Sequence, residues 1–285
     1  MGAQLAGGMQ NQKAWIEGEG ATFSQVPFPD GYKSEDQSFD LFAKTLKSKK
    51  IKPETIAAVI TESYQGVGPD FLPYEYAQRL QEFCREHSIS MIYDEVQSGF
   101  GRTGKMFCYQ HYDVTPDLIT CGKGISSSLP ISAVMGKREI MELYAPGSMT
   151  STHSASPLPV AAAIENIRII KEEELVEHAA LMEPVLMNGL EAIRAKYPEV
   201  LGCLHGKGLV AGIQTVKPGT KEPDPETAVR INVACFQRGL LMFAPVGVAG
   251  ECLKVSPPLN ITRDALEESI AVFGEACDEV LGGAK

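Results

Sequence analysis

The stretch ISMIYDEVQSGFGRTGKMFCYQHYDVTPDLITCGKG, residues 89–124, contains two short apolar runs that each lead to a charged residue. Ile89–Tyr93 is followed directly by Asp94, and Leu118–Cys121 is followed, after one glycine, by Lys123. Apolar runs of this length bounded by turn residues are typical of buried strands. The stretch therefore predicts two strands, each with an ionisable side chain at its carboxyl end.

A third apolar run and an intervening helical pattern indicate an α/β fold. Ile56–Ile60 ends shortly before Glu62, and residues 74–87 repeat apolar side chains at helical spacing. Strands that alternate with helices favour a mainly parallel sheet, whose strand carboxyl ends form a ligand crevice. We therefore expect Glu62, Asp94 and Lys123 to converge on one edge of a sheet.

The pattern changes after Pro159, which predicts a second domain. We expect a large domain over residues 1–165, built on the parallel sheet, and a smaller α+β domain over residues 166–285. Pro184 predicts a kink or a fresh helix start. Further helices are predicted at 39–47, 160–170, 173–196 and 263–281, and further strands at 131–135, 209–214, 240–243 and 253–255. Thr262 is the predicted N-cap of the last helix.

Composition narrows the class of protein. The net charge of −10 over 285 residues argues against nucleic acid as a partner. No apolar run approaches the roughly 20 residues of a membrane helix, and the opening residues do not match a secretion signal. Seven cysteines are spread singly without a C-x-x-C pair, so we expect free thiols in the cytoplasm and no metal site.

Two segments resemble the motifs of a known enzyme family. Ile92–Gly104 and Pro116–Gly124 are similar to the aspartate and lysine motifs of class III aminotransferases, which use pyridoxal 5′-phosphate (PLP), and the 29-residue spacing of Asp94 and Lys123 also fits. The resemblance covers nearly the whole chain. Four more segments resemble family blocks: Thr61–Gly66, Ser151–Leu158, His205–Leu209 and Leu253–Leu259.

The resemblance implies a fold type I PLP-dependent transferase, similar to aspartate aminotransferase, with PLP held as a Schiff base on Lys123. It implies that Asp94 pairs with the protonated pyridine nitrogen, an attraction of about 4 kcal/mol at 4 Å and an effective dielectric near 20. Gln97 would hydrogen-bond the phenolic oxygen, and Thr152 would bind phosphate across a homodimer interface. Glu95 is expected to be structural.

Two positions depart from the family pattern. Lys254 stands where many members carry an arginine that binds the substrate carboxylate or pairs with the glutamate at the position of Glu62. A lysine offers a point charge instead of a bidentate fork. Glu62 and Lys254 are therefore candidate substrate-binding residues, and recognition of an α-carboxylate stays open. His205 also replaces a common arginine, without an expected effect on catalysis.

The resemblance also implies a missing start. Family members carry more than a hundred residues before the segment that Gly2–Gly8 resembles, including a phosphate-cradling loop at a helix N-terminus and an aromatic that stacks on the ring. We therefore expect the chain to be N-terminally incomplete, and to bind PLP weakly by itself.

Several functions remain open at this point. The main prediction is an aminotransferase that moves an amino group from an amino acid or ω-amine to a keto acid. A PLP-dependent aminomutase, racemase or decarboxylase would share Asp94 and Lys123, and a truncated, non-catalytic remnant is a further alternative. Gly122–Gly124 is a weak signal by itself, because Gly206–Gly208 repeats the same tripeptide in what is expected to be an exposed turn.

Overall fold

A computed structural model describes residues 2–16, 23–149 and 151–282. The strands are β1 (Ala58–Glu62), β2 (Tyr64–Gln65), β3 (Asp70–Phe71), β4 (Ser90–Asp94), β5 (Leu118–Cys121), β6 (Ala133–Gly136), β7 (Leu201–Lys207), β8 (Val210–Thr215) and β9 (Cys252–Val255). The α-helices are α1 (Gly2–Ala6), α2 (Gln10–Lys13), α3 (Asp40–Ser48), α4 (Tyr74–Glu86), α5 (Arg138–Met141), α6 (Pro157–Glu172), α7 (Leu175–Arg194), α8 (Pro225–Gln237) and α9 (Arg263–Leu281). Short 3₁₀ helices span Pro53–Thr55, Cys108–Tyr112 and Lys123–Ile125.

A four-stranded sheet in the order β1-β4-β5-β6 organises the first half of the chain. The pairs β1–β4 and β4–β5 are parallel, whereas β6 runs antiparallel to β5. Glu62 lies opposite Asp94, and Asp94 lies opposite Thr120. The predicted α/β fold with a mainly parallel sheet is confirmed, and the strand ends meet at one edge as expected.

The two faces of this sheet differ in burial. Met91 and Tyr93 point into a core that also holds buried side chains of α3 and α4. The opposite face carries Ile60, which is 45% exposed, and Val134, which is 52% exposed. Side chains alternate between faces along a strand, so these apolar residues share an uncovered surface.

A second core surrounds an antiparallel sheet in the order β7-β8-β9. Every residue of β8 is buried, and α7, α8 and α9 supply the surrounding apolar side chains. Helix α9 has the predicted bounds, and the Thr262 hydroxyl accepts a hydrogen bond from the Ala265 N–H at 3.3 Å, as a predicted N-cap should. Helix α7 runs through Pro184 without a break, so the predicted fresh start is wrong.

One other prediction fails in the second half, and two elements were missed. Leu240–Phe243 forms no strand, because this apolar run pairs with no strand of the described residues, and Leu241 is largely exposed. Strand β7 and helix α8 were not predicted. The start of α8 carried a signal, since Asp224 caps the Thr227 N–H at 3.1 Å ahead of a proline at the first helical position.

The proposed domain boundary near residue 165 falls inside α6. The first core ends along the chain at Ile170 and the second begins at Ala179, while a small third cluster joins Tyr64 and Cys108 to Val210. The boundary therefore stays a prediction. Across the described ranges, none of the helices combines the length and the hydropathy of a membrane span.

Candidate active site

Lys123 stands on a tight turn after β5. Its backbone has φ of +41°, a left-handed conformation that is uncommon for a residue with a side chain. The Asn166 side chain, from α6, holds the turn by donating to the Gly124 carbonyl at 2.8 Å and the Ile125 carbonyl at 3.2 Å. Strained backbone of this kind is kept only where neighbouring structure supports it, and it concentrates at functional sites.

The amine of Lys123 has no partner among the described residues. Its side chain is exposed, and no hydrogen bond or ion pair joins it to another residue in the described part of the chain. The amine is therefore open to a molecule that enters the neighbouring cleft.

Two carboxylates lie beside this lysine at the sheet edge. The Asp94 Oδ1 atom accepts a hydrogen bond from the Val96 N–H at 2.9 Å, and Oδ2 has no partner among the described residues. Glu62 accepts from the Gly66 N–H at 3.1 Å. Burial raises the pKa of Glu62, and repulsion from Asp94 adds to the rise, while Lys123 and the Gly66 contact oppose it.

Glu95 has a different environment from its neighbour Asp94. It is fully buried, and its carboxylate accepts from the hydroxyls of Ser63 and Ser98 and from the N–H groups of Cys108 and Tyr109. Burial raises its pKa, and these hydrogen bonds oppose the rise. Such a fully satisfied buried carboxylate is structural, as predicted, because it has no acceptor left for a ligand.

Gln97 and Lys254 meet in the same region although they belong to different cores. Lys254, on β9, is 7% exposed, and its Nζ donates to Gln97 Oε1 at 2.5 Å and to the Gly66 carbonyl at 3.1 Å. Burial lowers the pKa of Lys254, and the charge of Lys123 lowers it further, while Glu62 opposes this. A Cβ at residue 66 would lie 2.1 Å from Gln97 Nε2, so a larger residue there would displace the Gln97 side chain.

A cleft of about 840 Å³ joins these groups. Its walls include Lys123, Gln97, Lys254, Tyr64 and Arg102. The volume falls within the range of about 300–1,000 Å³ that is typical of small-molecule sites. Asp94 and Glu62 are not part of the cleft wall and lie beside it at the strand ends.

Thr152 and His205 lie apart from the cleft. Thr152 is exposed in the turn before α6 and does not line the cleft. The His205 ring pairs with Asp70 at 2.6 Å. The chain therefore brings together five of the six predicted site residues, and Thr152 is the exception.

Sequence reasoning missed three residues of this region. Tyr64 donates its hydroxyl to the Gln97 carbonyl at 3.1 Å, and Arg102 lies within a predicted motif without an assigned role. Arg102 is mostly buried and donates to the carbonyls of Leu209 at 2.8 Å and Pro257 at 2.6 Å, which ties the lysine side of the cleft to the second core. Asn166 was detectable as a polar residue inside an apolar helical run.

A family model described as aminotransferase class III matches residues 4–277. The chain belongs to the class III aminotransferase family. This is a family of PLP-dependent proteins of fold type I, as the motifs implied.

Relatives support the assignment and set its limits. A probable 4-aminobutyrate aminotransferase of Bacillus subtilis is 34% identical over 87% of this chain and 59% of its own length. An alanine/serine racemase of Pyrococcus horikoshii is 32% identical over 90% of this chain and 56% of its own length. The crystal structure of a Bacillus anthracis aminotransferase has a TM-score of 0.86 at 31% identity and covers 96% of this chain. The chain thus spans under two thirds of the length of these proteins.

Proposed function

We propose that the chain supplies the part of a PLP-dependent aminotransferase site that contains the Schiff-base lysine, Lys123. The observation that supports this most directly is that the Lys123 amine and one Asp94 carboxylate oxygen lie at the same sheet edge, each without a partner among the described residues. The residues present suit PLP. The Thr120 hydroxyl, opposite Asp94, is buried without a hydrogen-bond partner among the described residues.

Each residue would have a distinct task. PLP, when bound, supplies an aldehyde that condenses with an amine and a ring that withdraws electrons from the substrate carbon. The Lys123 amine would be the attachment point and would move protons at the reacting carbon. Asp94 would hold the proton on the ring nitrogen, and the Gln97 amide would donate to the phenolic oxygen.

The proposed substrates are an amino donor and a keto-acid acceptor. The Bacillus subtilis relative and two 5-aminovalerate aminotransferases are named for ω-amino acids, which supports a donor of that type. Glu62 and Lys254 would then contact the charged groups of the substrate. Lys254 presents an ammonium point charge instead of a bidentate guanidinium, so it should bind an α-carboxylate more weakly than an arginine would.

A racemase is the second candidate. The racemase of Pyrococcus horikoshii and an isoleucine 2-epimerase of Lentilactobacillus buchneri, 36% identical, support it. A racemase inverts the configuration of its substrate without consuming a keto acid, whereas an aminotransferase consumes one keto-acid molecule in each turnover. Assays with and without 2-oxoglutarate or pyruvate therefore separate the two. An aminomutase or decarboxylase would show a different product from the same donor.

We also propose a cytoplasmic homodimer in which Thr152 of one subunit binds the PLP phosphate of the other. The exposed position of Thr152, away from the cleft of its own chain, supports a role across an interface.

The decisive experiment maps the attached cofactor. The chain is incubated with PLP, reduced with borohydride and digested, and the pyridoxyl-bearing peptide is sequenced. We expect the label on Lys123, and its loss in Lys123→Ala. Lys207→Ala is the matched control, because Lys207 lies in the same Gly-Lys-Gly tripeptide at the end of β7. Label on Lys207 or on no lysine would contradict the proposal, and the second result would favour a non-catalytic remnant.

A further inference from the structure

A buried lysine reaches the cleft from the second core. Lys254 lies on β9 and is 188 residues from Gly66 and 157 residues from Gln97, the two groups that accept its hydrogen bonds. No carboxylate of a described residue lies within ion-pairing distance of its Nζ. An ammonium buried without a counter-ion needs strong acceptors, so these two oxygens contribute directly to its stability.

The contact with Lys254 fixes which way the Gln97 amide faces. The carbonyl oxygen of the amide points to the ammonium, and no described residue accepts a hydrogen bond from Nε2. Rotating the amide by half a turn would place an NH₂ group against an NH₃⁺ group and leave the ammonium with one acceptor fewer. A Cβ at residue 66 would meet Nε2, so a side chain there would displace the Gln97 amide from this position.

We propose that Lys254 is a positioning residue that holds the Gln97 amide with its oxygen inward, so that its N–H donors remain available to a ligand in the cleft. This rests on the proposed function, in which that donor meets the phenolic oxygen of PLP. Lys254 thereby acts on the cofactor through Gln97, in addition to any contact with substrate.

A direct charge effect is the competing explanation. Lys254 lies within electrostatic range of Glu62, Lys123, Arg102 and Cys252, and burial lowers its pKa. Removing its charge would favour protonation of nearby groups whether or not Gln97 were present. A test must therefore compare the loss of Lys254 with and without the Gln97 amide.

The first measurement needs no cofactor. The side-chain ¹⁵N–¹H₂ resonances of Gln97, assigned by their absence in Gln97→Leu, report the motion of the amide through the heteronuclear NOE. We expect an NOE close to that of the rigid backbone in the unmodified chain, a clear fall in Lys254→Met, and recovery in Lys254→Arg, which keeps the donors. An unchanged NOE in a folded Lys254→Met chain would overturn the proposal.

The second measurement uses bound PLP without substrate. A donor beside the phenolic oxygen stabilises negative charge there, so losing it should raise the pH midpoint of the visible absorption change by about one unit. We expect this rise in Lys254→Met and its absence when Lys254→Met is added to Gln97→Leu. An equal rise in both backgrounds would show a charge effect and refute positioning.

The two proposals fail in different ways. If the unmodified chain shows no PLP absorption band that depends on Lys123, the proposed function fails. The NOE measurement on Gln97 needs no PLP, so it still tests whether Lys254 holds the amide. If the band is present and Lys254→Met leaves both its midpoint and the NOE unchanged, only the positioning role is wrong.

Discussion

Adjacent carboxylates at the end of β4 differ in their hydrogen-bond partners, so we expect them to have different roles. Among the described residues, Asp94 keeps one oxygen without a partner, whereas Glu95 uses both of its oxygens on buried donors. We expect Asp94→Asn to lower turnover by about a thousandfold, since the lost attraction of about 4 kcal/mol corresponds to three factors of ten. Retention of some PLP and an unchanged unfolding midpoint should accompany this loss.

Glu95→Gln provides the contrasting variant. An amide would turn an NH₂ group toward N–H donors, so we expect the free energy of unfolding to fall by about 1–3 kcal/mol. Turnover per folded molecule should fall far less than in Asp94→Asn. Turnover assays and denaturant unfolding of both variants test this contrast. Near-normal turnover of Asp94→Asn would contradict the role proposed for Asp94.

Glu62 should make stability depend on pH in a defined direction. Burial raises its pKa in the folded chain, so folding favours the protonated carboxyl. Its stabilising contribution is complete below the unfolded pKa of about 4.3 and is lost as the pH rises through the folded pKa. We therefore expect Glu62→Gln, which can keep the Gly66 contact, to raise the urea midpoint near pH 8.

The gain from Glu62→Gln should shrink toward zero near pH 3, where the glutamate is largely protonated in both the folded and the unfolded chain. Glu268→Gln is the control, because Glu268 is exposed on α9 and should show little gain at either pH. A constant gain for Glu62→Gln across this pH range would mean that its ionisation is not coupled to folding.

Individual site residues were predictable where chemistry and strand position coincided. Lys123, Asp94 and Glu62 each follow an apolar run, and the parallel register brings the two carboxylates together. The contact between Gln97 and Lys254 was not predictable, because β9 is far away in sequence and its approach depends on how the two cores pack.

At the scale of elements, the β7–β8 hairpin packs against the turn that follows Asp94. Gly208 has φ of +59°, and a Cβ there would lie 2.5 Å from the Thr103 carbonyl carbon. Its N–H donates to Glu183 at 2.7 Å. Gly206–Gly208, which was predicted to be an exposed turn, is therefore a contact between the two halves of the chain.

We expect Gly208→Ala to be more destabilising than the backbone conformation alone requires. Left-handed backbone costs an alanine about 1–2 kcal/mol, and overpacking adds about 1–3 kcal/mol. Gly239→Ala is the matched control, since Gly239 has φ of +83° and open space around it. Equal losses in the two free energies of unfolding would show that the hairpin does not press on residue 103.

Helices and strands were predicted best where periodicity was strong. The bounds of β5 and α9 agree with the sequence pattern to the residue. Strand β7 mixes glycine, histidine and lysine with apolar residues and follows neither period, so tertiary pairing with β8 decides its conformation. Leu240–Phe243 shows the converse, because an apolar run forms no strand without a neighbour.

At the scale of the whole molecule, one face of the four-stranded sheet carries exposed apolar side chains. Ile60 and Val134 remain substantially exposed, and the chain covers 59% and 56% of two relatives. An apolar face of this kind favours association with further polypeptide.

The position of Thr152 leads to a prediction about assembly. If Thr152 serves the partner's site, a mixed dimer of Lys123→Ala and Thr152→Val subunits contains one site with both residues intact. Each variant by itself should be weakly active, because every site then lacks one group. Co-refolding the two in equal amounts should recover about a quarter of the unmodified activity, since half of the dimers are mixed and each has one complete site.

The control pairs Lys123→Ala with Asp94→Asn, whose residues lie at one sheet edge of the same chain, so mixing them should recover nothing. Turnover of the mixtures, with dimer formation checked by sedimentation, decides between the two arrangements. No recovery in the first mixture would place Thr152 in the site of its own chain or outside any site.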